Sequence, residues 1–223
     1  MEKHTPYFKV LETIQKSRDC GLCVLEKGAV HSYFEAFLYE NVNDHGAREA
    51  LRASRGWCPF HAHHLIGFHD TLALSILFKE QALLAGYFLE KQMEKTHFFS
   101  EWVSHAKCPA CIQTIQIRQH YLAILVKGLI EEEEMRSAFF GNFHVCLNHF
   151  MLVVDALSDD AFKRQLVDRM WQRLADLAGR LEQYCQDCQI NAAGETFDSP
   201  HRYAWKEAVE TVAGLKDVFE SPL

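Results

Sequence analysis

Apolar residues recur along this chain at the three- and four-residue spacing of helices, and almost nowhere at the alternating spacing of strands. Residues 24–41 carry Val24, Val30, Phe34, Phe37 and Leu38 at helical spacing, which predicts a helix. Asn43 or Asp44 is placed to cap a shorter helix running to about Ser54. Gly56 ends it, and Pro59 opens a third helix with His61 in its first turn. The plan then returns, with helices predicted over 111–130, 132–140 and about 145–157 and an interruption at Gly141 and Asn142. A long helix follows each set, from about Thr71 to Lys95 and from about Asp159 to Tyr184. Ser158 is the expected cap of the second, and Leu166, Met170, Leu174, Leu177 and Leu181 form its apolar stripe. A last helix is expected over about Pro200 to Leu215, after a loop containing Gly194. The fold class is therefore all-α, a helical bundle.

The cysteines give this bundle an internal order. Adding 88 to Cys20, Cys23, Cys58 and His61 gives Cys108, Cys111, Cys146 and His149. Each set reads Cys-x2-Cys, 34 residues, Cys-x2-His. Tyr33 and Tyr121, Arg48 and Arg136, and Ala50 and Ala138 keep the same register. This predicts one helical domain over 1–223 built by internal duplication, with repeat one at 20–97, repeat two at 108–185 and a C-terminal loop and helix at 186–223.

Three thiolates and an imidazole are a tetrahedral zinc donor set. A Cys-x2-Cys pair turns both sulfurs to one ion in a tight knuckle, and a Cys-x2-His pair at a helix start places both donors on one face. The helices between the pairs are expected to form a hairpin that returns the second pair to the first, so one site is Cys20, Cys23, Cys58 and His61, and the other is Cys108, Cys111, Cys146 and His149. Two zinc ions are expected, with iron–sulfur clusters as the alternative for the same residues. Four protein donors leave no open position, so such a site holds the fold and does no chemistry. Arg48 and Arg136 are candidates to offset the surplus thiolate charge, and His64 is a candidate alternate ligand. Cys185 and Cys188 form a third Cys-x2-Cys outside the repeat, and a redox dithiol or a third metal site are the two chemical readings.

Formal net charge is −7, and Lys and Arg are scattered, which argues against nucleic acid as a partner. The N-terminus lacks the apolar stretch of a signal peptide, and no run approaches the ~20 apolar residues of a membrane span. A cytoplasmic setting without a membrane partner is expected, where cysteines serve as ligands or redox thiols more than as disulfides. No phosphate loop, dinucleotide fingerprint or nucleophile elbow is present. The functional expectation is a non-catalytic zinc-binding scaffold with a protein or small-ligand partner, Phe98, Phe99 and Trp102 being a candidate surface patch. The alternatives are iron–sulfur electron transfer or redox sensing, and thiol oxidoreduction at Cys185 and Cys188.

The segments Cys20-Gly21-Leu22-Cys23, Arg55-Gly56-Trp57-Cys58-Pro59-Phe60-His61, Cys108-Pro109-Ala110-Cys111 and Cys146-Leu147-Asn148-His149 carry a resemblance. With them the chain resembles a bacterial and archaeal family of uncharacterised two-repeat helical proteins, catalogued as a domain of unknown function. The resemblance spans nearly the whole chain, including Ala204-Trp205, and implies a helical fold and metal sites but no activity. Cys185 to Cys188 stand where members of that family carry an aromatic and polar segment.

Overall fold

The computed structural model describes residues 5–92, 107–190 and 200–218, and every regular element in them is helical. The helices are α1 (Thr5–Lys16), α2 (Gly21–Ala36), α3 (His45–Ala53), α4 (Pro59–Ile66), α5 (Thr71–Gln92), α6 (Pro109–Glu131), α7 (Glu133–Asn142), α8 (Leu147–Ala156), α9 (Asp160–Ile190) and α10 (Ala204–Ala213). A π turn, Phe37–Asn41, continues α2.

Local chemistry sets most of the boundaries. Asp44 caps α3, its Oδ1 accepting from the Ala47 amide at 2.8 Å. At α9 the cap is Asp159 rather than Ser158, because the Asp159 carboxylate reaches the amides of Ala161 and Phe162 at 2.8 and 3.0 Å. α7 runs through Gly141 and Asn142 and stops at Phe143, whose φ is +21°. The Asn142 side-chain amide donates to the carbonyls of Ile14 and Ser17 at the end of α1, at 2.6 and 2.7 Å. That satisfies carbonyls that α1 leaves open. Phe143 itself packs against the rings of Phe139, Phe140 and Phe150. α9 extends past Tyr184 and carries Cys185 and Cys188 on its last turns. α1 is an addition to the expected helices, although Tyr7, Val10, Leu11 and Ile14 bury one face at helical spacing. Gly194 and the Phe98, Phe99 and Trp102 patch lie outside the described residues.

The chain forms two compact units. The first contains residues 5–25 with 121–190 and 200–218; the second contains 26–92 with 107–120. Two helices, α2 and α6, begin in one unit and end in the other. In the first unit α1 packs on α7, and α10 packs on α8 and α9. Leu125, Leu129, Met135, Val153 and Leu166 fill its centre. Gly128 is required there, since a Cβ would come within 2.9 Å of Met135. The second unit closes around Phe34, Leu51, Leu65 and Leu77, with Trp57 set edge-on to Phe34 and Phe37. Gly56, at φ +98°, supplies the turn that delivers Trp57 and Cys58.

Within α5, Thr71–Lys91 is long and apolar enough by composition to cross a membrane. Ala73 and Leu77 on it are buried in the second unit's core. Glu80, midway along it, is bound by Arg48 and Arg52 at 2.7 and 2.6 Å. A carboxylate at that position is costly in lipid, and its two partners lie on α3, so these contacts fit a surface helix of a folded unit.

Candidate metal centres

All four ligand pairs have one construction. Cys20, Cys58, Cys108 and Cys146 each stand immediately before a helix. In each case the cysteine carbonyl accepts the first helical hydrogen bond, from Val24, Ala62, Ile112 and Phe150 at 2.8–3.1 Å. The cysteine is thus the N-cap, and the residue three on (Cys23, His61, Cys111 or His149) is the third helical position. N-cap and third position face the same side of the first turn, so two side chains leave the helix terminus together. Proline opens α4 and α6, where its missing N–H costs nothing. The Cys-x2-Cys pairs are therefore helix N-termini rather than free-standing knuckles.

Two such termini meet in each centre, but not in the expected combination. The first centre is Cys20, Cys23, Cys146 and His149, and the second is Cys58, His61, Cys108 and Cys111. Each joins a Cys-x2-Cys from one run of the sequence to the Cys-x2-His of the other. The expected pairing of Cys20 and Cys23 with Cys58 and His61 does not form, because Cys58 and His61 stand with Cys108 and Cys111. The arms of the run are unequal: Gly21 to Asn41 is about 30 Å of helix at ~1.5 Å per residue, whereas α3, with nine residues, is about 13 Å. The second run has the same mismatch, 23 residues out in α6 and 10 back in α7. Neither hairpin brings its own second pair home, so each supplies it to the other unit.

The donor atoms of each centre all lie within 4.8 Å of one another. In the first, His149 Nδ1 is 3.5, 3.3 and 3.4 Å from the sulfurs of Cys20, Cys23 and Cys146, and Cys23 Sγ is 3.7 Å from Cys146 Sγ. In the second, His61 Nδ1 is 3.3, 3.8 and 3.4 Å from the sulfurs of Cys58, Cys108 and Cys111, and Cys58 Sγ is 3.5 Å from Cys111 Sγ. Both imidazoles are fully buried. Three thiols and a ring nitrogen at these separations can hold a metal ion.

As thiols, the three sulfurs of a centre do not ionise alike. Hydrogen bonds from Cys20 and Cys23 lower Cys146 to about 4, and the amides of His149 and Asn148 add to the effect. Its partner Cys23 is raised, first by its hydrogen bond to Cys146. In the second centre Cys108 is lowered by its hydrogen bond from Cys58, which is itself pushed up to about 12. In each centre one thiol is thus held below a neighbouring one, and an incoming cation displaces the protons that remain.

The surroundings differ. At the first centre Arg173, more than half buried, donates to the carbonyls of Phe143 and Val145 at 2.9 Å each and to Thr211 Oγ1 at 3.0 Å. It clamps the loop that delivers Cys146. At the second centre the Thr114 hydroxyl donates to the Ala110 carbonyl at 2.8 Å and faces His61 Nε2 at 3.4 Å. Its proton being used, it accepts from Nε2–H, which leaves Nδ1 for the metal. Spacing marks Thr114, three residues beyond Cys111 on one helix face, but nothing local marks Arg173.

Arg48 and Arg136 do not take the expected role. Arg48 is bound to Glu80, and Arg136 to Glu133 and the Ile130 carbonyl. His64 lies among the rings of Phe34, Phe68 and His31 and belongs to neither donor group. Cys185 and Cys188 are exposed, with the Tyr184 hydroxyl against Cys188. Among the described residues they join no group of three metal donors.

The chain belongs to a family of unknown function (DUF6062), whose model matches residues 1–198. It is 25% identical over 207 residues to an uncharacterised 23.9 kDa protein encoded in the xynA 3′ region of Caldicellulosiruptor sp. (strain Rt8B.4), covering 93% of this chain and 100% of that one. No solved structure matches.

Proposed function

We propose that this protein is a non-catalytic helical scaffold in which one zinc ion locks each unit. The separation of the donor atoms carries the reading. Zinc–sulfur and zinc–nitrogen bonds of about 2.3 and 2.05 Å in a tetrahedron put sulfurs about 3.8 Å apart and nitrogen about 3.5 Å from sulfur. The closest donor approaches run from 3.3 to 3.8 Å. An iron–sulfur cluster spreads its ligands over several irons and needs wider spacing than a single ion's shell. Helix N-termini converging on each site supply positive dipole ends, which suit the net charge near −1 of a zinc ion with three thiolates. Four protein donors fill the shell, which supports a structural rather than a hydrolytic role. The matched construction of the two centres supports an internal duplication.

All eight cysteines are free, which suits a reducing compartment such as the cytoplasm. The partner we infer is a protein or a small ligand, since the acidic balance and scattered basic residues argue against nucleic acid. Metal analysis of protein purified without oxygen tests the core of the reading. Two zinc ions per chain and no colour are expected. Iron with acid-labile sulfide and visible absorbance would overturn it and make the protein a redox carrier or sensor.

A further inference from the structure

We propose that Cys58 and Cys111, at the second centre, form a modification site at which a peroxide joins the two sulfurs and frees the ion. This rests on the zinc reading above. Every donor of the first centre is buried, whereas Cys58 and Cys111 are both only half-buried. Their sulfurs are 3.5 Å apart and belong to different elements, the cap of α4 and the first turn of α6. The two half-buried donors of this centre are therefore also neighbours. The first centre's corresponding close pair, Cys23 and Cys146, is 0% and 1% exposed.

Anchoring widens the difference. At the first centre Arg173 ties down the loop that leads to Cys146 through the carbonyls of Phe143 and Val145. The residue 88 positions earlier is Ala85, which has no charge and no reach. Solvent access and the lack of an arginine at the equivalent position thus set the second centre apart.

The chemistry balances with hydrogen peroxide as oxidant. One sulfur attacks a peroxide oxygen, the O–O bond breaks, and hydroxide leaves and is protonated to water, so that a sulfenic acid forms. The second sulfur attacks that sulfenic sulfur, the S–S bond forms, the S–O bond breaks, and a second hydroxide leaves and is protonated. Two thiolates lose two electrons and peroxide becomes two waters. His61 and Cys108 remain, and two donors do not retain a zinc ion against a chelator. The second unit loses its lock while the first keeps its own.

The test uses the full chain with Cys185→Ser and Cys188→Ser, both exposed positions, so that the surface dithiol does not consume oxidant. Its zinc content is measured first. Hydrogen peroxide is then added in the presence of a zinc-chelating dye, and disulfides are located by peptide mass spectrometry. One ion per chain should leave at least roughly tenfold faster than the other. The bond formed should link Cys58 to Cys111. Release of both ions at one rate, no release, or a bond that omits either cysteine overturns the proposal. A preparation without zinc overturns the scaffold reading, and this proposal with it, before any oxidant is added.

Discussion

The two centres have the same donors and the same construction, a pair of helix N-termini each supplying an N-cap cysteine and a third-position ligand. They differ in what lies behind those termini. The first is sealed, and Arg173 stitches the Phe143–Val145 loop to α10 through Thr211. The second is half open at Cys58 and Cys111, with the Thr114 hydroxyl steering its imidazole. Identical ligands therefore need not give identical lability. Access and the outer contacts that anchor the ligand loops differ between the two centres.

Ligand pairing gives the largest expected effect. Cys23→Ser with Cys146→Ser removes two donors of one centre, and the chain should keep one zinc ion. Cys23→Ser with Cys58→Ser strikes both centres, and both ions should be lost. A structural zinc site contributes about 10 kcal/mol or more in small zinc-dependent folds, so each lost ion should unfold its unit. Zinc content and circular dichroism read the result; the reverse pattern would restore the pairing within each sequence run.

Arg173→Met comes next. It strips three hydrogen bonds from a buried loop and leaves two carbonyls without their donor, at a cost of about 2–4 kcal/mol. The variant should melt lower and lose the ion of the first centre faster, drawing the two release rates together. Unchanged release with a lower melting temperature would show that the guanidinium only packs.

The smallest effect concerns the ion pairs, one in each unit. Arg180 binds Glu207 at 2.7 and 3.0 Å and holds its carboxyl below the usual range. Burial alone would raise the Glu80 carboxyl, but the hydrogen bonds from Arg48 and Arg52 outweigh it and hold it low. Both groups therefore stabilise the folded chain above their unfolded value of about 4.3, and the contribution is lost as the pH falls through the lowered folded value. Each pair is partly exposed, so Glu80→Gln should cost at most about 1 kcal/mol at pH 7. In denaturant titrations of zinc-loaded protein that difference should shrink on acidification; a difference that grows would reverse the assignment.

Most of the elements were readable from periodicity and caps. Asp44 as a cap, Pro59 at a helix start and the stripe of α9 follow from side chains within a turn of one another. Predictions went astray where a distant contact outweighed local preference. Gly141 and Asn142 look like a helix end, yet Asn142 is held by the carbonyls of α1. Ser158 is a good cap, but Asp159 is one residue nearer the first open amides.

The sequence by itself determined the inventory: an all-helical chain, eight Cys and His residues in four pairs at one repeat offset, and a helix start at each Cys-x2-His. Spacings of three residues and the identity of a donor are local properties, which a repeat offset of 88 makes visible. Only the tertiary structure decided which pairs meet. A repeat offset says that two runs are alike and is silent on whether each closes on itself or on the other. Here each Cys-x2-Cys meets the Cys-x2-His of the other run. The inequality of the two centres was settled at the same level, since Arg173 and the solvent at Cys58 and Cys111 are set by packing between residues far apart in the chain.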